Sequence, residues 1–491
     1  MTVLERLRNI KNSKFLENMS SGDKIDFEFP FFMLYLKSIT SGTISRMIML
    51  QVAAEKEIFK YIAPYLIRII VLMTQWRYPQ AKAAEIMSYE APTKDFSDYL
   101  FKLSQSIASG EPINEFIEKY YDNFIAKYSA ERMQQINRLK TLSDAYLPMI
   151  SITLFMTTTM LISSIFYDAR TMILVAILVV IIVSFILYII SWMIFQSAKP
   201  DNLLIQDQKE KPPARKRAEY ASIMAVIVAA GILTIPFENY FMHFILIGIV
   251  FFKAGLIGRQ YTGKVKAMEN DYPTFFRYMA SNLSANIPLL QVMDSAVETD
   301  FGSLNDVIKS LNNKLRMRIE PRVAWWSFET EIDSLLIRRI NTIMTDTIYT
   351  GGDLGKAYKY IEDYFHLYTT IRTQRYTAVG YHVGLAVPIY VVAAALFSVI
   401  DGFFDSLIGF IGQMATMLDF FSVPDVEFMR LFFVFALGLF SLNNVFSIYN
   451  MEGDSRFTVL YYMGMQLSLG GTVYLIISKA VKGYLAGVAM I

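Results

Sequence analysis

Cysteine is absent from the 491 residues, and histidine occurs three times, as His243, His366 and His382. The lack of cysteine excludes disulfides, thiolate zinc sites and cysteine nucleophiles, and it is compatible with a reducing or a hot environment. Because the histidines are widely separated in sequence, we also expect no histidine-built metal site. We therefore expect no catalytic residue, no metal and no cofactor.

Charged residues are scarce as well. They make up 18% of the chain, whereas hydrophobic residues make up 54%, and the formal net charge is +2. This balance is too apolar for an ordinary soluble protein of this length and predicts a protein embedded in the lipid bilayer. The small net charge argues against a nucleic-acid partner, so any basic docking surface must be local.

The N-terminus lacks the uninterrupted apolar core that a signal peptide needs. We therefore expect it to stay in the cytoplasm. Leu4, Leu7 and Ile10 share one face at helical spacing among basic residues. This pattern fits either a helix on the membrane surface or a short basic lead-in to the first domain.

Seven apolar runs are long enough, or nearly so, for the approximately 20 residues that a bilayer-spanning helix requires. They are residues 146–166, 171–195, 220–237, 239–257, 383–400, 428–447 and 457–477. A partly buried eighth segment at 403–421 would return the C-terminus to the cytoplasm, so seven or eight spans are expected. Gly464, Gly470 and Gly471 in the last run permit close helix contact.

Charge next to the apolar runs predicts their orientation. The loop 196–219 is rich in lysine and arginine, whereas the loop 401–427 contains five acidic residues and no basic one. By the positive-inside rule the first loop is cytoplasmic, and we place the second outside. The large polar segments 1–145 and 258–380 are then both cytoplasmic.

The polar segments read as helical bundles, because their apolar residues recur three and four positions apart. The sequence thus predicts an all-α, multi-pass protein of the cell membrane. Residues 1–145 are the first cytoplasmic bundle, 146–257 four spans, 258–380 the second bundle, and 381–491 three or four spans.

The two bundles repeat each other. The segment beginning at Glu28 aligns with that beginning at Asp271 without a gap, which pairs prolines, tyrosines and aromatic neighbours. The paired positions are Glu28 and Asp271, Pro30 and Pro273, Phe32 and Phe275, Tyr35 and Tyr278, and Leu36 and Met279. An acid before a proline predicts a helix start, and the aromatic residues then share one buried face.

A second pair follows in the same order. Gly110 and Gly352 each precede an acidic residue and an aromatic-rich helix that leads to a span. Two ordered matches indicate an internal duplication of a bundle plus a membrane hairpin.

Apparent enzyme motifs do not meet their requirements. Residues 258–264, GRQYTGK, fit the glycine-lysine spacing of a phosphate loop, but Val265 replaces the required serine or threonine and an apolar run precedes it. We therefore expect only a turn at the membrane exit. The confident spans contain no charge at mid-depth, and Asn443 and Asn444 are best explained by hydrogen bonding between helices.

Local basic clusters remain on the second bundle. They comprise Lys314, Arg316, Arg318, Arg322, Arg338 and Arg339. Arginine pairs well with carboxylates, so these residues could form a docking face for an acidic partner. The alternative is that they are ordinary solvated positions.

This architecture, with the repeated acid-aromatic-Pro-x-Phe-x-x-Tyr and Gly-acid segments, resembles the platform proteins of type IV filament machines. That family includes the F protein of type II secretion, the C protein of type IV pili and the archaellum J protein. Bacterial members share about four spans between the bundles, so the extra spans here resemble those of archaeal members.

The resemblance implies a non-enzymatic platform, expected as a homodimer, in an archaellum or a type IV pilus. Its expected partners are a hexameric cytoplasmic ATPase of the secretion type and pilin-like or archaellin subunits. The basic residues of the second bundle are the expected ATPase contacts. A transporter is the alternative, although it would show charged or broken mid-membrane helices in both halves.

Overall fold

The computed structural model describes residues 18–197, 203–205, 210–237, 239–285, 287–414 and 425–488. These residues form 16 α-helices and two 3-10 turns, and they contain no β-strand. The expected all-α fold is confirmed. The basic N-terminal segment and parts of both charged loops, at 198–202, 206–209 and 415–424, lie outside the described residues.

The 16 helices are numbered in chain order. Those of the polar segments are short, unless they continue into apolar sequence. The first nine are α1 (Asn18–Ile39), α2 (Arg46–Ala54), α3 (Ala63–Thr74), α4 (Gln80–Glu90), α5 (Lys94–Ser109), α6 (Ile113–Ser163), α7 (Ala169–Ser197), α8 (Pro213–Leu233) and α9 (Phe241–Ser284). The remaining seven are α10 (Leu289–Glu298), α11 (Asn305–Arg316), α12 (Pro321–Ile332), α13 (Leu335–Tyr349), α14 (Leu354–Met414), α15 (Val426–Glu452) and α16 (Phe457–Val488).

The chain divides into two compact units. The bundle unit comprises Met1–Glu131 and Ala267–Thr370, and the membrane unit comprises Arg132–Lys266 and Ile371–Ile491. The divisions lie 9 to 14 residues from those expected at 145, 257 and 380. Hydropathy locates them poorly because each lies inside one continuous helix, α6, α9 or α14.

Both repeats contribute to one core in the bundle unit. Phe32, Tyr35 and Leu36 of α1 are fully buried, and Phe275 and Met279 of α9 are buried in the same hydrophobic cluster. Tyr278 is partly buried and packs edge-on against Phe301. The expected apolar face therefore exists in both repeats.

The expectation that the repeated proline begins a helix is wrong. Pro30 lies inside α1 and Pro273 inside α9. An internal proline removes one helical hydrogen bond and costs about 3 kcal/mol in an isolated helix, so tertiary packing must stabilise these positions. Both helices have already begun well before the prolines.

The repeated acid has a different function from the one expected. The Glu28 carboxylate accepts hydrogen bonds from the backbone N–H groups of Tyr61 and Ile62, at 3.0 and 3.3 Å, where α3 begins. The Asp271 carboxylate accepts one from the Ser303 N–H at 2.8 Å, just before α11. Each acid thus satisfies N–H groups at the start of another helix in its own bundle.

The membrane unit contains most of the apolar helical length. Six helices are long and apolar enough to cross a bilayer among the described residues: α6, α7, α9, α14, α15 and α16. The seventh predicted span, 220–237, corresponds to α8. That helix starts with charged residues and ends at Leu233, so its uncharged part is short of the approximately 20 residues needed.

Part of the predicted acidic loop is helical, because α14 continues to Met414. Asp401 is buried and lies 2.8 Å from Arg430 of α15, and Asp405 lies 2.6 Å from Lys482 of α16. Two acids and two bases therefore join three helices.

Glycines allow α9 and α16 to pack closely. A Cβ atom on Gly464 would lie 2.1 Å from the backbone nitrogen of Phe252, and one on Gly248 would lie 2.4 Å from that of Ser468. A Cβ atom on Gly470 would lie 2.7 Å from a ring carbon of Tyr390 in α14, and one on Gly471 would lie 2.8 Å from a side-chain carbon of Ile245 in α9. The close contact expected from the glycines of the last span is confirmed.

Candidate functional site

The candidate site is the surface of the bundle unit around the turn between α11 and α12. Arg316 ends α11, Met317 and Arg318 form the turn, and Arg322 lies in the first turn of α12. All four residues are exposed. The sequence folds in this way because Pro321 supplies a fixed φ at the first position of α12.

The backbone of this turn is a Schellman motif, in which the N–H groups after a helix donate back to its last carbonyls. The Ile319 N–H donates to the Lys314 carbonyl at 3.1 Å, and the Arg318 N–H donates to the Leu315 carbonyl at 3.0 Å. Arg318 has a φ of 58°. Glycine is the usual residue in this left-handed position, so an arginine there is uncommon.

Two of the basic residues are held by acids of the same bundle. Arg316 Nε lies 2.8 Å from Asp294 Oδ1, and this guanidinium, together with Asn312, holds the pKa of Asp294 below its usual range. Lys314 forms an ion pair with Glu331 and a hydrogen bond with Ser327. Both pairs are solvent-accessible, so they add little to stability and can exchange partners.

Arg318 has no ion pair with any described residue, and Arg322 instead stacks on an aromatic ring. The Arg322 guanidinium lies 4.6 Å from the centre of the Tyr349 ring, which is itself 53% exposed. Exposed Trp326 follows one helical turn after Arg322 and Met317 stands beside Arg318. Arginine, tryptophan and methionine are enriched at protein interfaces, so the surface combines positive charge with apolar anchors.

Arg338 belongs to a separate set of contacts. Its guanidinium lies 3.9 Å from Glu329 and 3.7 Å from Glu57 of the first bundle. Glu329 is buried, and this burial raises its pKa to about 8. Arg338 is therefore a link between bundles as well as a partly accessible cation.

Arg339 does not reach the surface. It is buried, and its guanidinium lies 4.5 Å and 4.4 Å from the ring centres of Phe27 and Phe31 in the first bundle. Such cation–π contacts are strongest when they are desolvated. We therefore assign Arg339 to the junction between the bundles and remove it from the docking surface.

A buried carboxylate strengthens the same junction. Asp346 of α13 accepts a hydrogen bond from the Tyr35 hydroxyl at 3.0 Å and forms an ion pair with Lys56 at 2.6 Å. Burial, followed by the charge of Asp346, raises the pKa of Tyr35 well above its ordinary value. The phenol is therefore a permanent donor, and the two bundles share a polar contact within an apolar core.

Glycines bring two turns of the bundles into contact. A Cβ atom on Gly42 would lie 2.4 Å from the Gly351 carbonyl oxygen, and one on Gly352 would lie 3.2 Å from the Ser38 carbonyl oxygen. The Ser41 hydroxyl also accepts a hydrogen bond from the Asp353 N–H at 2.9 Å. The sequence does not predict this contact, because it joins segments more than 300 positions apart.

The second repeated glycine has two structural roles. Gly110 is left-handed, with a φ of 76°, and ends α5. In the other repeat Gly351, rather than Gly352, is left-handed, with a φ of 71°. The backbone therefore pairs Gly110 with Gly351, whereas Gly352 is required for close packing.

The apparent nucleotide and metal motifs form no such sites among the described residues. Residues 258–264 lie within α9, so their N–H groups are committed to the helix and cannot surround a phosphate. No group of three or more histidine, aspartate or glutamate residues is arranged for a metal in this part of the chain.

An apolar cavity of about 950 Å³ lies in the membrane unit between α8, α9, α15 and α16. His243 and Tyr240 are the titratable side chains that line this cavity. The His243 Nε2 atom lies 2.9 Å from the Ile235 carbonyl oxygen. A lining without an acid or a paired charge does not favour an ion pathway.

Comparison with known proteins agrees with this architecture. Residues 275–401 match the family model of the type II secretion system protein F. This segment begins at Phe275 in α9 and ends at Asp401 in α14, so it contains the turn between α11 and α12.

Two archaeal proteins are similar along most of the chain. Flagella accessory protein J of Methanococcus voltae is 24% identical over 430 residues, which cover 82% of this chain and 75% of that protein. The protein of the same name from Methanocaldococcus jannaschii is 23% identical over 383 residues, with 74% and 67% covered. No solved structure matches the chain. Residues 275–401 are therefore similar to the type II secretion system protein F family, and most of the chain is similar to flagella accessory protein J.

Proposed function

We propose that this chain is the membrane platform of an archaeal type IV filament machine, an archaellum or a type IV pilus. In this role it passes the motion of a cytoplasmic hexameric ATPase to pilin-like subunits, which leave the bilayer and enter the filament. The observation that carries the proposal is the similarity to flagella accessory protein J over 82% of the chain.

The docking surface around the α11–α12 turn is the proposed ATPase contact. Arg316, Arg318 and Arg322 present guanidinium groups that can bind carboxylates in pairs of hydrogen bonds. Lys314 precedes Arg316 at the end of α11, whereas Arg338 lies on α13, and each already has an acidic neighbour. An acidic partner would replace weak, exposed ion pairs, so little internal stability would be lost on binding.

The junction between the bundles supports mechanical coupling. Both bundles share one hydrophobic core, and Asp346 and Arg339 add buried contacts between them. Packed cores are not easily compressed, so a force on one bundle would act on the whole bundle unit. This is the property that a platform under an ATPase requires.

The proposed contact is tested by reversing charge at three exposed positions. We expect the Arg316→Glu, Arg318→Glu, Arg322→Glu triple variant to lose co-purification of the ATPase from native membranes, because like charges then oppose each other across the interface. ATPase recovered with affinity-tagged platform is the measurement.

The matched control is the Lys102→Glu, Lys119→Glu, Lys127→Glu triple variant, which reverses three exposed lysines of the first bundle that also form surface ion pairs. It should retain the ATPase. If both triple variants recover equal amounts of ATPase, the assignment of the three arginines as ATPase contacts is refuted. If the unsubstituted platform recovers no ATPase, the proposed function is contradicted.

A further inference from the structure

The first bundle contains a turn equivalent to that of the docking surface. Arg77, between α3 and α4, has a φ of 54°, and Arg318 has a φ of 58°. They lie 241 positions apart, as Gly110 and Gly351 do, and this is close to the 243 positions that separate Tyr35 and Tyr278. Duplication therefore placed a left-handed arginine at the same point of both bundles.

The two turns also agree in how the next helix begins. Each is closed by a backbone hydrogen bond to the preceding helix, but the bonds differ in span: the Tyr78 N–H donates to the Leu72 carbonyl, six residues back, and the Ile319 N–H donates to the Lys314 carbonyl, five residues back. A proline follows each turn, Pro79 before α4 and Pro321 at the start of α12. The left-handed arginine and the following proline are therefore features of both repeats.

Both turns expose an apolar side chain beside the arginine. Trp76 is 69% exposed and Met317 is 67% exposed. Arg77, like Arg318, is exposed and has no ion pair with a described residue. An arginine in the left-handed backbone conformation costs roughly 1 kcal/mol relative to a glycine. Stability therefore does not explain why both turns have an arginine there beside an exposed apolar side chain.

We propose that Trp76, Arg77 and Tyr78 form a second docking point for the same acidic protein partner as the α11–α12 turn. The inference rests on the proposed function. It adds that the two turns of one platform chain bind two equivalent acidic sites on the partner. A ring of identical subunits supplies such repeated sites, and simultaneous contact at two of them raises the effective concentration of each.

A protein partner fits the turn of the first bundle better than a lipid surface does. Membrane recognition by charge typically uses clusters of 4 to 8 basic residues. The first turn has one arginine, held in a fixed backbone conformation between a tryptophan and a tyrosine. A preorganised arginine flanked by aromatic anchors is typical of a protein interface.

The test uses glycine at each arginine, because glycine adopts the left-handed conformation without steric cost. Arg77→Gly and Arg318→Gly should leave the thermal unfolding midpoint of the detergent-solubilised full chain unchanged or higher. Each should weaken binding of the purified ATPase from the same organism about tenfold, and the double variant should weaken it further. Lys119→Glu, at an exposed position of α6 in the same bundle, is the control and should bind normally.

The outcomes separate this inference from the proposed function. If Arg318→Gly weakens binding and Arg77→Gly does not, the second docking point is refuted while the platform function stands. If Arg77→Gly only reduces the anionic lipid that co-purifies, the turn contacts lipid and the inference is wrong. If the unsubstituted chain does not bind the ATPase, both proposals fail.

Discussion

Single residues of the bundle unit differ in how well the sequence predicts them. The spacing of Tyr35 from Phe32 and Leu36 predicts that it lies on the buried face of α1, and it is fully buried. The sequence groups Arg339 with exposed arginines, yet it is buried against Phe27 and Phe31. The sequence could not reveal this, because its partners are more than 300 positions away.

The contacts of Asp346 allow a prediction at this scale. Asp346→Ala leaves the Tyr35 hydroxyl and the Lys56 ammonium without their acceptor, and we expect it to cost about 3–5 kcal/mol of unfolding free energy. Tyr35→Phe alone should cost about 1 kcal/mol, and almost nothing when Asp346 is already alanine. Denaturant unfolding followed by tryptophan fluorescence measures both values.

Exposed Glu298→Ala is the control for this cycle and should be nearly neutral. Additive costs for Tyr35→Phe and Asp346→Ala would show that the two residues do not interact in solution.

Whole helices were predicted more reliably than their ends. All seven apolar runs correspond to helices, because length and lack of charge suffice to identify them. The ends were less predictable: Pro30 and Pro273 resemble helix starts locally, whereas tertiary packing extends α1 and α9 through them. Turn chemistry was also ambiguous, since the left-handed glycine is Gly351 and the sequence match favoured Gly352.

The packing of α9 against α16 gives a prediction at the scale of elements. Gly464→Ala places a methyl group 2.1 Å from a backbone nitrogen of α9, so the helices must separate. Overpacking of this kind costs about 1–3 kcal/mol. We expect a lower thermal unfolding midpoint in detergent and less folded protein.

Gly483→Ala in the same helix is the matched control, because a Cβ atom there meets no neighbour within 4 Å. It should be neutral or slightly stabilising, since alanine is the better helix former. Equal midpoints for the two variants would contradict close packing of α9 on α16.

At the scale of the whole molecule, duplication explains much of the design. Each repeat supplies a helix with an internal proline, an acid that caps a second helix, and an arginine turn. The repeats then diverge where they meet, because Asp346 and Arg339 of the second bundle contact side chains of the first. The sequence revealed the duplication, but long-range pairing determined which arginines are exposed.

The two units also fit different tasks. The bundle unit offers charged turns and a rigid shared core, and the membrane unit offers six candidate spans with an apolar cavity among four of its helices. We propose that the first meets the ATPase and the second meets the filament subunits within the bilayer. Cytoplasmic placement of both bundles is part of this proposal.

The most direct test of the platform function is the number of surface filaments per cell, counted by electron microscopy in the source organism. Cells that lack this chain should have no filaments of the affected type, and the unsubstituted chain should restore them. The Arg316→Glu, Arg318→Glu, Arg322→Glu variant should reach the membrane in normal amounts and restore none, whereas the Lys102→Glu, Lys119→Glu, Lys127→Glu variant should restore them. Normal filament numbers in cells without the chain would contradict the account.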